Sequence, residues 1–424
     1  MNHKNELAQS LDSDQKHHIK LLQSFVQAAS PNPPGNTENA TKVLTDYLSQ
    51  QNIPYQIISP QKGKPNLVSE FHGENGPGPR VVLNGHIDVF PVGNQSDWNR
   101  DPWSGSLADG RTHGRGVVDM KSGTASLVIA YAYLYARREF LRGSVALCAV
   151  SDEETGGRWG TRFLINEDRH RWGGDVMLST EPSGKTVRFS EKGTLRVSGT
   201  VATRGAHGAY LNLSKGAIRT AAAFLNDVVD EVESMQPHPP PEMASYLTDP
   251  EVLAAVDKAM GPNTSSIIAR PTVNIGTIHG GVEVNMIPDH CRFELDIRLP
   301  VGLVADQVMA VLKAVAVRYP DAEIGLEIQD AASNPASFSP INHPIIECIR
   351  RNAKAVGGVS PVAIPSMGAT DCKHYRYSGI PAYVYGCSPF SMAAVNESAS
   401  VDEFVHVTKV HALATRDFLQ ENDS

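Results

Sequence analysis

The chain reads as an α/β protein carrying an inserted ferredoxin-like α+β unit, and three observations predict that class. Short apolar strands alternate with helical stretches through the first part of the chain. The middle then runs in the order β-α-β-β-α-β, that of a small ferredoxin-like sandwich. From about Ala332 the α/β pattern resumes and ends in a helix from Val401. The expected division is a discontinuous unit of 1–191 and 332–424 with an insertion at 192–331.

Each element follows from local chemistry. Ser13 to Ser30 is helical and stops at Ser30-Pro31-Asn32-Pro33-Pro34-Gly35, where three prolines forbid further helix. A second helix covers Thr37 to Gln51, followed by Tyr55-Gln56-Ile57-Ile58 and the short apolar strands at Asn66–Val68, Val81–Asn84 and Val145–Val150. A long helix from Ser122 to Arg138 lies between the last two strands. Thr194–Val201 alternates as a half-buried strand does. A helix near Lys215 to Val232 and a proline-rich polar stretch at Pro237–Pro241 come next. Strands at Thr272–Ile278 and Cys291–Leu299, a helix at Val304–Tyr319 and a strand at Glu323–Ile328 complete the insertion.

Length and composition narrow the function. At 424 residues the chain exceeds one ordinary core, which favours two domains. A net charge of −8 without a strong basic run argues against a nucleic-acid partner. Met1 to Lys20 is polar and charged, and no run of about 18 apolar residues occurs, so neither a signal peptide nor a membrane partner is expected. Five scattered cysteines (Cys148, Cys291, Cys348, Cys372, Cys387) without CxxC spacing fit reduced thiols, a cytoplasmic location and no cysteine-based metal site.

Chemistry-bearing residues gather after the apolar strands. In Asn84-Gly85-His86-Ile87-Asp88, His86 and Asp88 are two apart and emerge on one side. A metal-bound imidazole needs its other nitrogen held, and an adjacent carboxylate can do so. Gly114–Gly123 places Asp119 in a glycine-rich turn before a helix and fits neither GxGxxG nor a P-loop. Ser151-Asp152-Glu153-Glu154-Thr155-Gly156-Gly157 sets three acids after a buried strand, where they repel one another unless a cation is present. The bland alternative is a solvated acidic turn. Glu181, in Leu178-Ser179-Thr180-Glu181-Pro182, follows another apolar segment. Histidine with carboxylates and no cysteine suits a catalytic zinc or related divalent ion with open positions.

In this order the segments resemble the metallopeptidase/aminoacylase family of acetylornithine deacetylase, succinyl-diaminopimelate desuccinylase, aminoacylase-1 and glutamate carboxypeptidase. The resemblance is nearly full-length and rests on Asn32-Pro33-Pro34-Gly35, GHIDV, GRGVVDMKSG, DEETGG, STEP, RGAHGA, Asn285-Met286-Ile287-Pro288, Asp296-Ile297-Arg298 and Gly368-Ala369-Thr370-Asp371. It implies a zinc-peptidase-like catalytic domain with a ferredoxin-like lid, and a homodimer formed through the lid. It also implies one or two zinc ions, with cobalt or manganese able to use the same ligands. By resemblance His86 binds one metal, Asp119 bridges two, Glu154 holds the second and Glu181 the first. Asp88 orients His86, and the Asp119-Met120 bond is cis. Glu153 is the general base that activates the metal-held water toward the amide carbonyl and returns the proton to the leaving amine. His207 resembles the histidine that stabilises the oxyanion in a partner's site. Asn285, Arg298, Gly368 and Thr370 resemble substrate-binding residues, Arg298 by a bidentate grip on a carboxylate. A strand-end ion pair is the plainer reading of Arg298. The implied reaction is hydrolysis of an N-acyl amino acid or small dipeptide-like amide that bears a carboxylate.

The chain departs from the family at one place. Members usually close the second metal site with a histidine four residues before a glutamate, and here Ala393 stands before Glu397. Four alternatives follow. The site holds a single ion; or His374 supplies the missing nitrogen; or the residue was altered to trap a substrate; or the protein is a non-hydrolytic relative, a binder or an amide-forming enzyme. Met392 is a poor zinc ligand and is expected to pack in a core.

Overall fold

The strands at the centre of the larger unit are apolar on both faces, as strands covered by helices on both sides are. A computed structural model describes residues 3–421. Strands Ser144–Val150, Arg80–His86, Val176–Ser179 and Ala382–Val384 lie side by side and parallel in a nine-stranded sheet. Antiparallel neighbours extend it, Lys64–His72 and Gln56–Gln61 on one side and Val187–Glu191 on the other. The helix Ser122–Tyr135 is buried almost all round, as befits a helix apolar on every side.

The chain divides into two compact units. One comprises the chain up to Phe189, Phe338–Ile364 and the chain from Thr370 onward; the other is Ser190–Ser337 with Pro365–Ala369. In the second, an antiparallel sheet runs in the order Thr272–Gly280, His290–Leu299, Gly193–Ala202, Glu323–Ile328. Helices Ala217–Glu233 and Ala305–Ala316 bury Phe224, Val228 and Leu312 with Val197, Phe293 and Leu295 of the sheet. This connectivity is ferredoxin-like.

Two expectations of local structure are corrected. The stretch beyond the proline-rich segment carries helices at Pro241–Tyr246, Pro250–Met260 and Thr264–Ile267 that were not expected. Asp249 caps the middle one, its side chain accepting from the Glu251 N–H, and Pro250 stands at its start, where a missing N–H costs nothing. The N-terminal region forms two helices, His3–Ser13 and Gln15–Gln27, because Asp14 leaves helical geometry (φ −100°, ψ 9°) and its carboxylate takes the Tyr133 hydroxyl. Among the described residues no helix is long and apolar enough to cross a membrane.

The C-terminal helix Val401–Glu421 packs against Ser122–Tyr135 and holds a fully buried imidazole. His411 Nε2 pairs with the Tyr385 carbonyl at 2.7 Å, while Nδ1 is buried without a hydrogen-bond partner. Burial lowers its pKa to about 4. Below about pH 6.5 the unfolded chain takes up a proton that the folded chain refuses, so this contribution to stability is complete above about 6.5 and is lost as pH falls toward 4. Urea denaturation at pH 7 and pH 5 is expected to show a smaller acid-induced loss of stability for His411→Gln than for the wild type; equal losses would remove His411 from the acid sensitivity.

Candidate metal centre

In a parallel sheet the strand ends open onto a crevice, and three adjacent strands here end in ionisable groups. His86 closes Arg80–His86 and lies opposite Val150, from which the chain enters Asp152-Glu153-Glu154. Val176–Ser179 leads to Glu181. Ligand atoms of His86, Asp119 and Glu181 all lie within 4.8 Å of one another. His86 Nε2 is 3.1 Å from Asp119 Oδ1 and 3.6 Å from Glu181 Oε1.

The imidazole is held from behind, but not as expected. Its Nδ1 donates to the backbone carbonyl of Asp88 at 2.7 Å, whereas the nearest Asp88 carboxylate oxygen is 3.8 Å away. The Asp88 carboxylate instead accepts the N–H groups of Glu153 and Glu154, each at 3.2 Å, and Asn32 Nδ2 at 2.8 Å. Asp88 therefore orients the histidine through its main chain and fixes the acidic turn through its side chain. Asp152, the first acid of the run, is structural: it pairs with Lys64 and accepts from Thr155 and from the Trp159 N–H.

Asp119 is presented by a turn that a distant carboxylate gathers up. Glu397, fully buried, accepts from the N–H groups of Gly116 (3.0 Å), Val118 (2.8 Å) and Asp119 (3.3 Å), and pairs with Arg115 Nη1 at 2.6 Å. Gly116 must be glycine, since its φ is +76° and a Cβ would lie 2.0 Å from Val89 Cγ1. The Asp119-Met120 peptide is cis. Sequence reasoning gave no role to Glu397, Arg115 or Asn32. The signal for Asn32 is its place in Asn32-Pro33-Pro34-Gly35; for Glu397 the sequence carries only its position four residues after Ala393.

The electrostatics describe a cluster of anions short of positive charge. Burial raises Glu153 to about 7 against the pull of Lys373 and His86, and burial with Asp119 raises Glu154 to about 11. Glu181 is raised well above the usual range by burial, with Asp119 and Glu153 adding to it. Burial opposes protonation of His86, yet Glu181 and Asp119 carry its pKa well above the ordinary value. The cluster thus draws a proton onto the imidazole where a cation would satisfy it. Glu154 Oε1 is also buried without a hydrogen-bond partner. These residues fit a divalent ion: one nitrogen and two carboxylates converge, and the charge they lack is positive.

The model of Peptidase family M20/M25/M40 matches residues 82–417. The chain belongs to that family. That family is one of metal-dependent amidohydrolases. A probable succinyl-diaminopimelate desuccinylase from Staphylococcus epidermidis is 25% identical over 91% of this chain and 92% of its own length. The M20 family metallo-carboxypeptidase Sso-CP2 from Sulfolobus solfataricus superposes with a TM-score of 0.75 at 19% identity, covering 95% of this chain and 99% of that one. A dinuclear metal-binding M20 peptidase from Bacillus subtilis gives a TM-score of 0.66 at 16% identity, covering 96% and 99%.

His374 does not join the cluster: its Nε2 is 3.3 Å from the Gly156 carbonyl and 3.8 Å from Asp371 Oδ1, and burial lowers its pKa to about 4. Glu154 also lies outside the group of three. Ala393 sits at φ +58° in an exposed loop, and Met392 beside it is 44% exposed, not packed in a core. Thr370 precedes helix Cys372–Tyr377 and accepts the Cys372 N–H at 3.2 Å, while Gly368 is exposed with open space where a side chain would be. In the second unit His207 is exposed on a two-residue strand paired with Met286-Ile287, and Asn285 bonds Gly208 through its carbonyl. Arg298 has its fork engaged, with Nε and Nη2 at 2.8 and 3.0 Å from Asp296 and Nη1 donating to Thr194. This is the strand-end ion pair of the plainer reading.

Removing Glu397 leaves a buried guanidinium and three N–H groups unpaired. Glu397→Ala is expected to lower the unfolding free energy by about 3–5 kcal/mol in urea; a loss under about 1 kcal/mol would mean that the carboxylate does not hold the turn.

Proposed function

We propose that the chain hydrolyses the amide bond of a small N-acyl amino acid or dipeptide-like substrate bearing a free carboxylate, with Glu153 as the general base. The observation that carries this reading is the convergence of His86, Asp119 and Glu181 beside a half-buried Glu153 whose carboxyl is pushed up to about 7. His86, Asp119 and Glu181 would hold the first divalent ion, zinc by its fit to nitrogen and carboxylate donors, though cobalt and manganese use the same set. Glu154, with its unpaired oxygen, is the donor available to a second. When bound, such an ion polarises the amide carbonyl and acidifies water. The chain's own part is proton handling and orientation. Glu153 accepts a proton from water at its carboxylate and delivers it to the departing nitrogen. Asp88 fixes the Glu153 backbone through its N–H, so the carboxylate starts from a set position. The names of the relatives, a desuccinylase and a carboxypeptidase, support a substrate with a carboxylate next to the cut.

The reading extends to a cytoplasmic homodimer formed through the second unit, with Asn285 and His207 contributing to substrate and oxyanion binding. Support for the dimer is the edge strand Thr272–Gly280, which ends the four-stranded sheet and leaves Ile275 and Ile278 exposed, followed by exposed Val282 and Val284. One observation favours a second reading, a non-hydrolytic relative. Ala393 offers no ligand where the family usually has histidine, and no described residue takes its place in the cluster.

The two readings part in one experiment. The protein is stripped with chelator, reloaded with zinc, cobalt or manganese, and given N-acetyl and N-succinyl amino acids and dipeptides, with metal counted by elemental analysis. Hydrolysis is expected to vanish on stripping and return on reloading. Glu153→Gln should lower kcat by about 10²- to 10⁴-fold with metal content unchanged. A fully loaded protein that cleaves none of the panel would sink hydrolysis in favour of binding or condensation.

A further inference from the structure

Close to the Glu153 carboxylate stands a lysine that the reading above leaves unused. Lys373 lies in the first turn of helix Cys372–Tyr377 and is 8% exposed. Its Nζ donates to the Thr370 carbonyl at 3.1 Å and lies 3.7 Å from Glu153 Oε1, both side chains being nearly buried. An ammonium withdrawn from water is costly unless an anion faces it. The helix that carries it is pinned to the metal-bearing strand: Asp371 accepts from Thr161 Oγ1 at 2.6 Å, and Thr161 accepts from Asn84 Nδ2 at 2.9 Å. Asn84 is two residues before His86 on the same strand, so ammonium and imidazole share one foundation.

Glu153 needs such a partner. Asp119 and Asp371 both repel it, while Lys373 exerts the strongest favourable charge upon it. Its backbone is tied to Asp88, but that bond ends at the N–H and leaves the carboxylate free to turn away from its neighbours. We propose that Lys373 is a positioning residue for the general base, its ammonium holding the Glu153 carboxylate in the site against the repulsion of the surrounding acids. This rests on Glu153 acting as the base. Lys373 acts through Glu153 and not on the substrate.

The test compares metal-loaded wild type, Lys373→Met, Lys373→Gln and Lys373→Arg on whichever N-acyl amino acid the wild type cleaves fastest. Bound metal is counted in each, and folding is checked by thermal melting. The neutral variants are expected to lose about 10- to 100-fold in kcat. KM should stay within about twofold and metal content should be unchanged. Arginine, which restores the charge, should recover most of the lost rate. Should Lys373→Met fail to fold, the neutral but polar glutamine variant carries the comparison. Wild-type kcat in a neutral variant, or an arginine variant as slow as the neutral ones, would overturn the proposal and leave the hydrolase reading intact. A wild type that binds metal and cleaves nothing would overturn both.

Discussion

Packing Asp119, Glu153, Glu154 and Glu181 around one imidazole at the ends of parallel strands creates a repulsion that much of the larger unit serves to contain. Burial drives the carboxyls of Glu153, Glu154 and Glu181 upward, and the imidazole is driven upward by the carboxylates around it. Such a cluster is stable as folded structure only if its backbone is fastened independently of its charges. The fastening is visible: Asp88 ties the acidic turn, Glu397 ties the Asp119 turn, and Asp152 pairs with Lys64 behind them. A divalent ion then enters a frame already set, which lowers the reorganisation that binding requires.

The division of labour at Asp88 shows how one residue can serve two neighbours. Its carbonyl orients His86 by accepting a hydrogen bond from Nδ1–H, which leaves Nε2 as the nitrogen facing Asp119 and Glu181. Its carboxylate, meanwhile, holds two successive N–H groups of the loop that carries the base. Imidazole and base are thereby referenced to the same residue.

The sheet and the ferredoxin-like order were legible because buried strands are short apolar runs and half-buried ones alternate, as Val145–Val150 and Thr194–Val201 do. The helix Pro250–Met260 was hidden by the prolines around it, although Asp249-Pro250 is itself a helix-start signal. His86, Asp119 and Glu181 could be grouped because each follows an apolar strand or opens a helix, and such positions meet at a sheet's edge. The Glu397 contacts were not legible, since nothing in a lone glutamate reveals that its partners lie 278 to 282 residues away. Periodicity placed Asp88 beside His86 but said nothing of which oxygen would face it. The engagement of Arg298 by Asp296 was foreseeable in part, because two residues apart on one strand share a face.

The Glu397 clasp lies four residues beyond Ala393, and all of its bonds run to the Asp119 turn. The loop between Pro389 and Asn396 is therefore anchored at its end whatever side chain occupies its middle. Mechanical support and ligand supply have been separated along the chain, so the histidine position is free to drift without collapse of the turn. A scaffold arranged in this way lets a substitution in the middle of the loop leave the presentation of Asp119 undisturbed.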